Sequence, residues 1–273
     1  MGLLDWTREK LKMVWLLERE GKTSFLVGTA HFSPHRFERA LTRLLQKVET
    51  AWFEGPLDDE TLSRVAEYGR NGEGCPSVYY ALDPGVLQAI NRYFDNRLPH
   101  RSAESYLEIF GSPSTGFLET HVKGARPWMA LFTLWSSFLG WKHSIDRDAY
   151  HLARRLEKKV CFIETIEEQL AALDGVPFDR IVNYVNRFAH WSSYKKQYIH
   201  DYLRGDLQAL MSRTTGFPTR CQSILGERDL KFFERLRPSF EQEGGVAFLG
   251  LSHVLPIRKM FSEAGYRVTQ ITP

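Results

Sequence analysis

Phe25-Leu-Val-Gly-Thr-Ala-His31 and Ala247-Phe-Leu-Gly-Leu-Ser-His253 share one pattern. Each is a short hydrophobic run that breaks at a glycine and reaches a histidine three residues later. Apolar runs of this length, bounded by turn signals, predict buried strands. The glycine permits a tight turn and close backbone approach, so the histidine faces a crevice instead of the sheet. Each copy also has a companion run that ends in glutamate: Thr50 to Phe53 leads into Glu54, and Lys159 to Ile163 leads into Glu164. The pattern is a weak internal repeat. It predicts an α/β fold with a central mixed β-sheet of two related halves flanked by helices. Parallel sheets collect functional groups at the carboxyl ends of their strands.

Working outward, Met13 to Leu17 and Ser24 to Gly28 read as a hairpin around Glu18 to Thr23. Ser33-Pro34 predicts a helix start, with Ser33 as N-cap. Phe37, Ala40, Leu41, Leu44, Leu45 and Val48 continue it at helical spacing, and Thr50 to Phe53 follows as a strand. The unit has the size of one βαβ. Segments 58–69, 84–94, 102–110 and 127–139 read as helices without intervening strands. They make an insertion over about 58–143 of the kind that forms a lid or cap. After it come a helix over 146–157, a strand over 159–164, a second helical region over about 166–236, a strand over 245–249, a helix over 254–264 and a closing strand over 266–271. A single domain spanning 1–273 is the expectation.

Composition narrows the class. The chain has 273 residues, 43% of them hydrophobic, which suffices for a large core. A net charge of +3 does not point to nucleic acid or to a membrane surface. Three scattered cysteines form no metal-ribbon spacing and fit a reducing compartment. No uninterrupted apolar leader and no stretch long enough to span a bilayer is seen. A soluble, cytoplasmic protein without stable membrane insertion is expected, with a homodimer compatible.

His31, His253 and Glu54, joined by Glu164, would give three or four ligands for a divalent metal and leave a water position open. Such a metal would acidify its water and polarise a carbonyl. Without metal, the same groups could serve as general base and acid. Glu54 and Glu164 also admit a plainer reading, as helix caps or arginine partners. Arg228 is a candidate for binding a carboxylate or oxyanion, against a surface charge. Ser33-Pro34 separates His35 from His31, so the two form no helical metal face. Phe188, Trp191, Tyr194, Tyr198 and Tyr202 read first as a packed helix face, second as the wall of a substrate groove. Trp128 reads as core. No Walker loop, dinucleotide fingerprint, HExxH or GxSxG is present.

Taken in order, several motifs resemble the TraB/GumN family. They are Phe25 to Pro34, Phe53-Glu54, Arg126-Pro-Trp128, Ile145-Asp146, Phe162-Ile-Glu-Thr165 with Glu168-Gln169, Glu227-Arg228, and Phe248 to His253 with Gly265-Tyr266. The resemblance covers about residues 24 to 271. It implies relatedness to the Tiki metallopeptidases and, more widely, to erythromycin esterase and a haem-binding lipoprotein. It implies a divalent metal, manganese or cobalt ahead of zinc, at His31, Glu54 and His253. Two departures stand out. Pro56 occupies a place where the family often has Asp, and Asp229 stands where Asn is usual. Tiki proteins are secreted or membrane-anchored, so their extracellular substrates do not carry over.

The expected function is therefore a metal-dependent hydrolase, most simply a peptidase acting on a peptide or small amide. Glu54, Glu164 and Arg228 would be the catalytic groups. The alternatives are a metal-free esterase-like hydrolase, with His31 as base oriented by Glu54, and a non-catalytic protein that binds a peptide or haem.

Overall fold

The computed structural model describes residues 9–95 and 116–273. Its strands are β1 (Val14–Arg19), β2 (Lys22–Thr29), β3 (Thr50–Phe53), β4 (Lys159–Phe162), β5 (Gly245–Gly250) and β6 (Arg267–Ile271). They form one mixed sheet in the order β4-β3-β5-β2-β1-β6. The four strands from β4 to β2 are parallel neighbours, while β1 runs antiparallel to β2 and β6. β5 is buried along its whole length, as a central parallel strand must be. The predicted hairpin is present. Glu20 and Gly21 both take positive φ, 51° and 75°, which matches the right-handed twist of the two strands they join.

The helices are α1 (Glu38–Leu45), α2 (Asp59–Arg70), α3 (Val78–Ala81), α4 (Pro84–Asp95), α5 (Phe117–His121), α6 (Pro127–Leu139) and α7 (Ile145–Arg155), followed by α8 (Ile166–Asp174), α9 (Phe178–Asn186), α10 (Trp191–Arg204), α11 (Leu207–Arg213), α12 (Glu227–Gln242) and α13 (Leu251–Glu263). α7 packs on β3, β4 and β5, and α12 and α13 pack together on β2 and β5. This core includes Leu26, Val27, Phe53, Phe248, Val254 and Phe261. A second hydrophobic cluster joins helices α3 to α6 with α8 to α10. Trp135 is its hub, with ring contacts to Phe138, Tyr184, Trp191, Tyr194 and Phe217. The helical cap thus has apolar packing of its own.

Three local expectations need correction or restriction. Ser33 does not start a helix. It bridges His143 (N–H to carbonyl 2.8 Å), and its hydroxyl accepts the His35 N–H at 3.1 Å. A serine hydroxyl used in a local turn is no longer available as a cap, and the helix begins after Phe37. At the other motif the helix begins three residues early, at Leu251, with Pro256 inside it. His253 therefore sits on the first turn of α13, whereas His31 sits on a loop. The helix expected over 102–110 lies outside the described residues.

Candidate active site

Four parallel strands end along one edge, and each is followed by a candidate residue: His31 after β2, His253 after β5, Glu54 after β3 and Glu164 after β4. Adjacency in the sheet decides which of them meet. β5 lies between β3 and β2. Glu54 therefore reaches the turn after β5, where its Oε1 accepts the Gly250 N–H at 2.7 Å. A Cβ on Gly250 would lie 3.2 Å from Glu54 Oε1, 3.7 Å from His31 Nε2 and 3.8 Å from His253 Cδ2. Glycine at this position leaves open a small cradle onto which all three side chains converge.

Each imidazole is held from behind. His31 Nδ1 lies 3.0 Å from Asp146 Oδ2, and His253 Nδ1 lies 2.6 Å from Asp229 Oδ1. Both carboxylates are buried. Such pairing orients the ring and leaves Nε2 as the reactive nitrogen. The two rings differ in exposure. His253 is buried, while the His31 side chain is 61% accessible because it faces the crevice. The crevice surface His31 faces is itself walled by the cap, so desolvation still pulls the imidazole down more than any other single effect. The charge and hydrogen bond of Asp146, with the charge of Glu54, together outweigh it and raise the imidazole to about 9.

Arg228 and Glu164 form a tight pair. Arg228 Nη2 and Nε reach the two Glu164 oxygens at 2.6 and 3.0 Å. Burial pushes the Glu164 carboxyl up, and the arginine opposes that shift only in part. Arg228 also approaches His253 Nε2 at 3.4 Å through Nη1, and Glu54 Oε2 at 3.9 Å through Nη2. Glu164 is thus an arginine partner, each of its oxygens accepting one Arg228 N–H. Arg228 is a partly buried site residue, not a surface charge. The expected pairing of Glu54 with His31 is replaced: the partner of His31 is Asp146.

The motif around Arg228 is self-consistent. Gly226 takes φ +75° ahead of α12, and Asp229 Oδ2 accepts the Gly226 N–H at 2.9 Å. Its other oxygen serves His253. Asp146 and Asp229 are the site residues that sequence reasoning left without a role.

The crevice opens into a cavity of about 480 Å³ between the strand ends and the cap. Trp128, Phe132, Trp135, Trp141, Tyr194 and Tyr198 line it. Trp191 and Tyr202, by contrast, are buried in the packing, so the aromatic face of α10 serves both of the uses considered for it. Trp128 is buried and lines the cavity as well.

The donor chemistry suits a divalent cation. There are two imidazole Nε2 atoms fixed by carboxylates behind them, and a glutamate at the shared cradle. The set is not closed as it stands: among the described residues, no three His, Cys, Asp or Glu side chains are grouped tightly enough to hold an ion. His253 Nε2 and Glu54 Oε1 stand 3.9 Å apart, and the Arg228 cation lies against the same nitrogen.

The fold and the site define an α/β protein with paired Gly-x-x-His corners at the carboxyl edge of a mixed sheet, roofed by a helical cap. The chain belongs to the TraB/PrgY/gumN family, whose model matches residues 13–270. Comparison with curated proteins gave no match. Among the described residues, no helix is long and apolar enough to cross a membrane.

Proposed function

We propose that this protein is a hydrolase that cleaves an amide or ester in a small apolar substrate, most simply a peptide. The observation that carries this reading is the convergence of two carboxylate-anchored imidazoles with Glu54 around Gly250. His31, Glu54 and His253 would hold a divalent metal, which when bound supplies an acidified water and polarises the carbonyl. Glu54 lies beside that centre and can accept a proton there. Glu164 holds Nε and Nη2 of Arg228 and the Ile224 carbonyl holds Nη1 at 3.0 Å, which leaves the second Nη1 proton directed toward the centre, where negative charge develops on the substrate oxygen.

A second reading dispenses with the metal. His31 backed by Asp146 would be the general base once neutral, above about pH 9, and the Arg228 cation at 3.4 Å from His253 Nε2 favours this reading by competing with a second cation. Metal analysis after purification without chelator, on wild type, H31A and H253A, separates the two. The first reading expects metal in wild type and its loss in both variants; unchanged content in both would sink it. Cleavage of short apolar peptides at full rate in excess chelator would establish the second. An E54Q protein that cleaves as fast as wild type would remove both.

A further inference from the structure

Two arginines line the cavity, and their surroundings differ. Arg228 has its charge met by Glu164 in a two-point pair. Arg220, in the loop between α11 and α12, has no carboxylate within ion-pair distance among the described residues. Its guanidinium donates to the thioether of Met211, a weak acceptor. The groups that act on it electrostatically are the Tyr194 phenol and then Asp229, and that carboxylate is already taken by His253 and the Gly226 N–H. Desolvation lowers the Arg220 pKa, so its charge is held partly out of water. A half-buried guanidinium without an anion is costly unless a ligand completes it.

The loop that carries it is built to be rigid. Arg180 of α9 donates to the carbonyls of Thr215, Phe217, Pro218 and Arg220 itself at 3.1–3.3 Å. One side chain thus fixes the backbone that presents Arg220 to the cavity. The charge balance of the wall points the same way. Among the described residues that line the cavity, Glu54 is the one acid, against Arg220 and Arg228. The remaining wall is mostly aromatic and aliphatic, and about 480 Å³ suits a small ligand.

We infer that Arg220 is a carboxylate-binding subsite, and that the cavity takes a short apolar peptide with a free C-terminal carboxylate. The apolar side chains lie against the aromatic wall, and the carboxylate pairs with Arg220 bidentately. Gln169 and Thr219 line the same cavity and offer hydrogen bonds to peptide amides, which a hydrocarbon chain would leave unused. The subsite stands on its own geometry. Its assignment to a substrate rests on the hydrolase reading.

Trp128, Trp135 and Trp141 line the cavity, so quenching of tryptophan fluorescence reads binding without turnover. The probes are N-acetyl-leucyl-phenylalanine, its C-terminal amide and decanoate, titrated into wild type, E54Q, R220K and R220M. The acid should bind wild type at least about tenfold more tightly than the amide, the size expected of a charged hydrogen-bonded contact. R220M should bind acid and amide alike, and R220K should keep part of the preference. Equal binding of acid and amide by wild type overturns the subsite, as does a full preference in R220M. Should R220M fail to fold, the comparison on wild type and R220K decides. Decanoate binding about tenfold tighter than the peptide acid overturns the peptide assignment. A carboxylate preference kept in E54Q, with no cleavage by wild type, would leave the subsite standing while the hydrolase reading falls.

Discussion

Asp146 lies on the apolar stripe of α7 with Ala149 and Ala153, and Asp229 lies on that of α12 with Phe232 and Leu236. A carboxylate placed among buried apolar residues costs free energy unless it finds a hydrogen-bond donor. Each finds the Nδ1 of a histidine on another element, His31 lying 115 residues before Asp146 and His253 lying 24 residues after Asp229. The acid on an apolar stripe is a signal that helical periodicity carries, and it identifies both residues as buried acids in want of partners. The identity of the partners is not encoded locally. Glu54 was legible because it ends an apolar strand. Glu164 was equally legible, but its role was not, since the Arg228 that saturates it arrives from α12. Replacing Asp229 with Asn removes the charge behind His253 while keeping the volume. Activity is expected to fall by about 10- to 100-fold, as for other groups that orient a reactive histidine. Steady-state kinetics on D229N, with the unfolding midpoint as control, checks this. An unchanged kcat would show that the orientation of His253 is immaterial.

At the scale of elements, periodicity and turn chemistry account for the hairpin, for β3, and for α2, α4 and α6 nearly to the residue. The failures lie at the ends of elements. Ser33 carries the signal of an N-cap, yet its hydroxyl serves a turn pinned by His143, a contact 110 residues away that no local rule contains. The start of α8 shows the reverse case, in which local and distant partners agree. Glu168 accepts the Thr165 N–H at 3.0 Å and both Arg235 nitrogens at 2.7 Å. The hydrogen bond from Arg235, then the one from Thr165, lower its carboxyl from 4.5 to about 2. A depressed carboxyl contributes stability that is full above its ordinary pKa and is lost as pH falls toward the folded value. Wild type is therefore expected to melt above E168Q near neutrality, with the gap narrowing from about pH 5 to about pH 3. Thermal unfolding of both proteins across that range is the check. A gap independent of pH would mean that the ion pair contributes nothing to folding.

The whole molecule depends on β3 and β5 being neighbours, because this brings Glu54 of one half to Gly250 of the other. Phe53 and Phe248 face each other across that junction, stacked at 5.0 Å, and both are buried. Phe248→Ala is expected to cost about 3–5 kcal/mol. Urea unfolding should show a lower midpoint with the slope unchanged. A loss below about 1 kcal/mol would mean that the sheet repacks and the junction is not what holds the halves together. The chain alone determined the class of fold, the two Gly-x-x-His corners and the helical cap. Those follow from period, turn residues and apolar runs, which act between residues close in sequence. Strand order, the exchange of Glu54 for Asp146 behind His31, the capture of Glu164 by Arg228 and the placing of Arg220 on the cavity wall away from every described carboxylate were decided by the tertiary structure. Each joins groups from distant parts of the chain, and the burial that makes their charges matter exists only once the sheet and cap have closed around them.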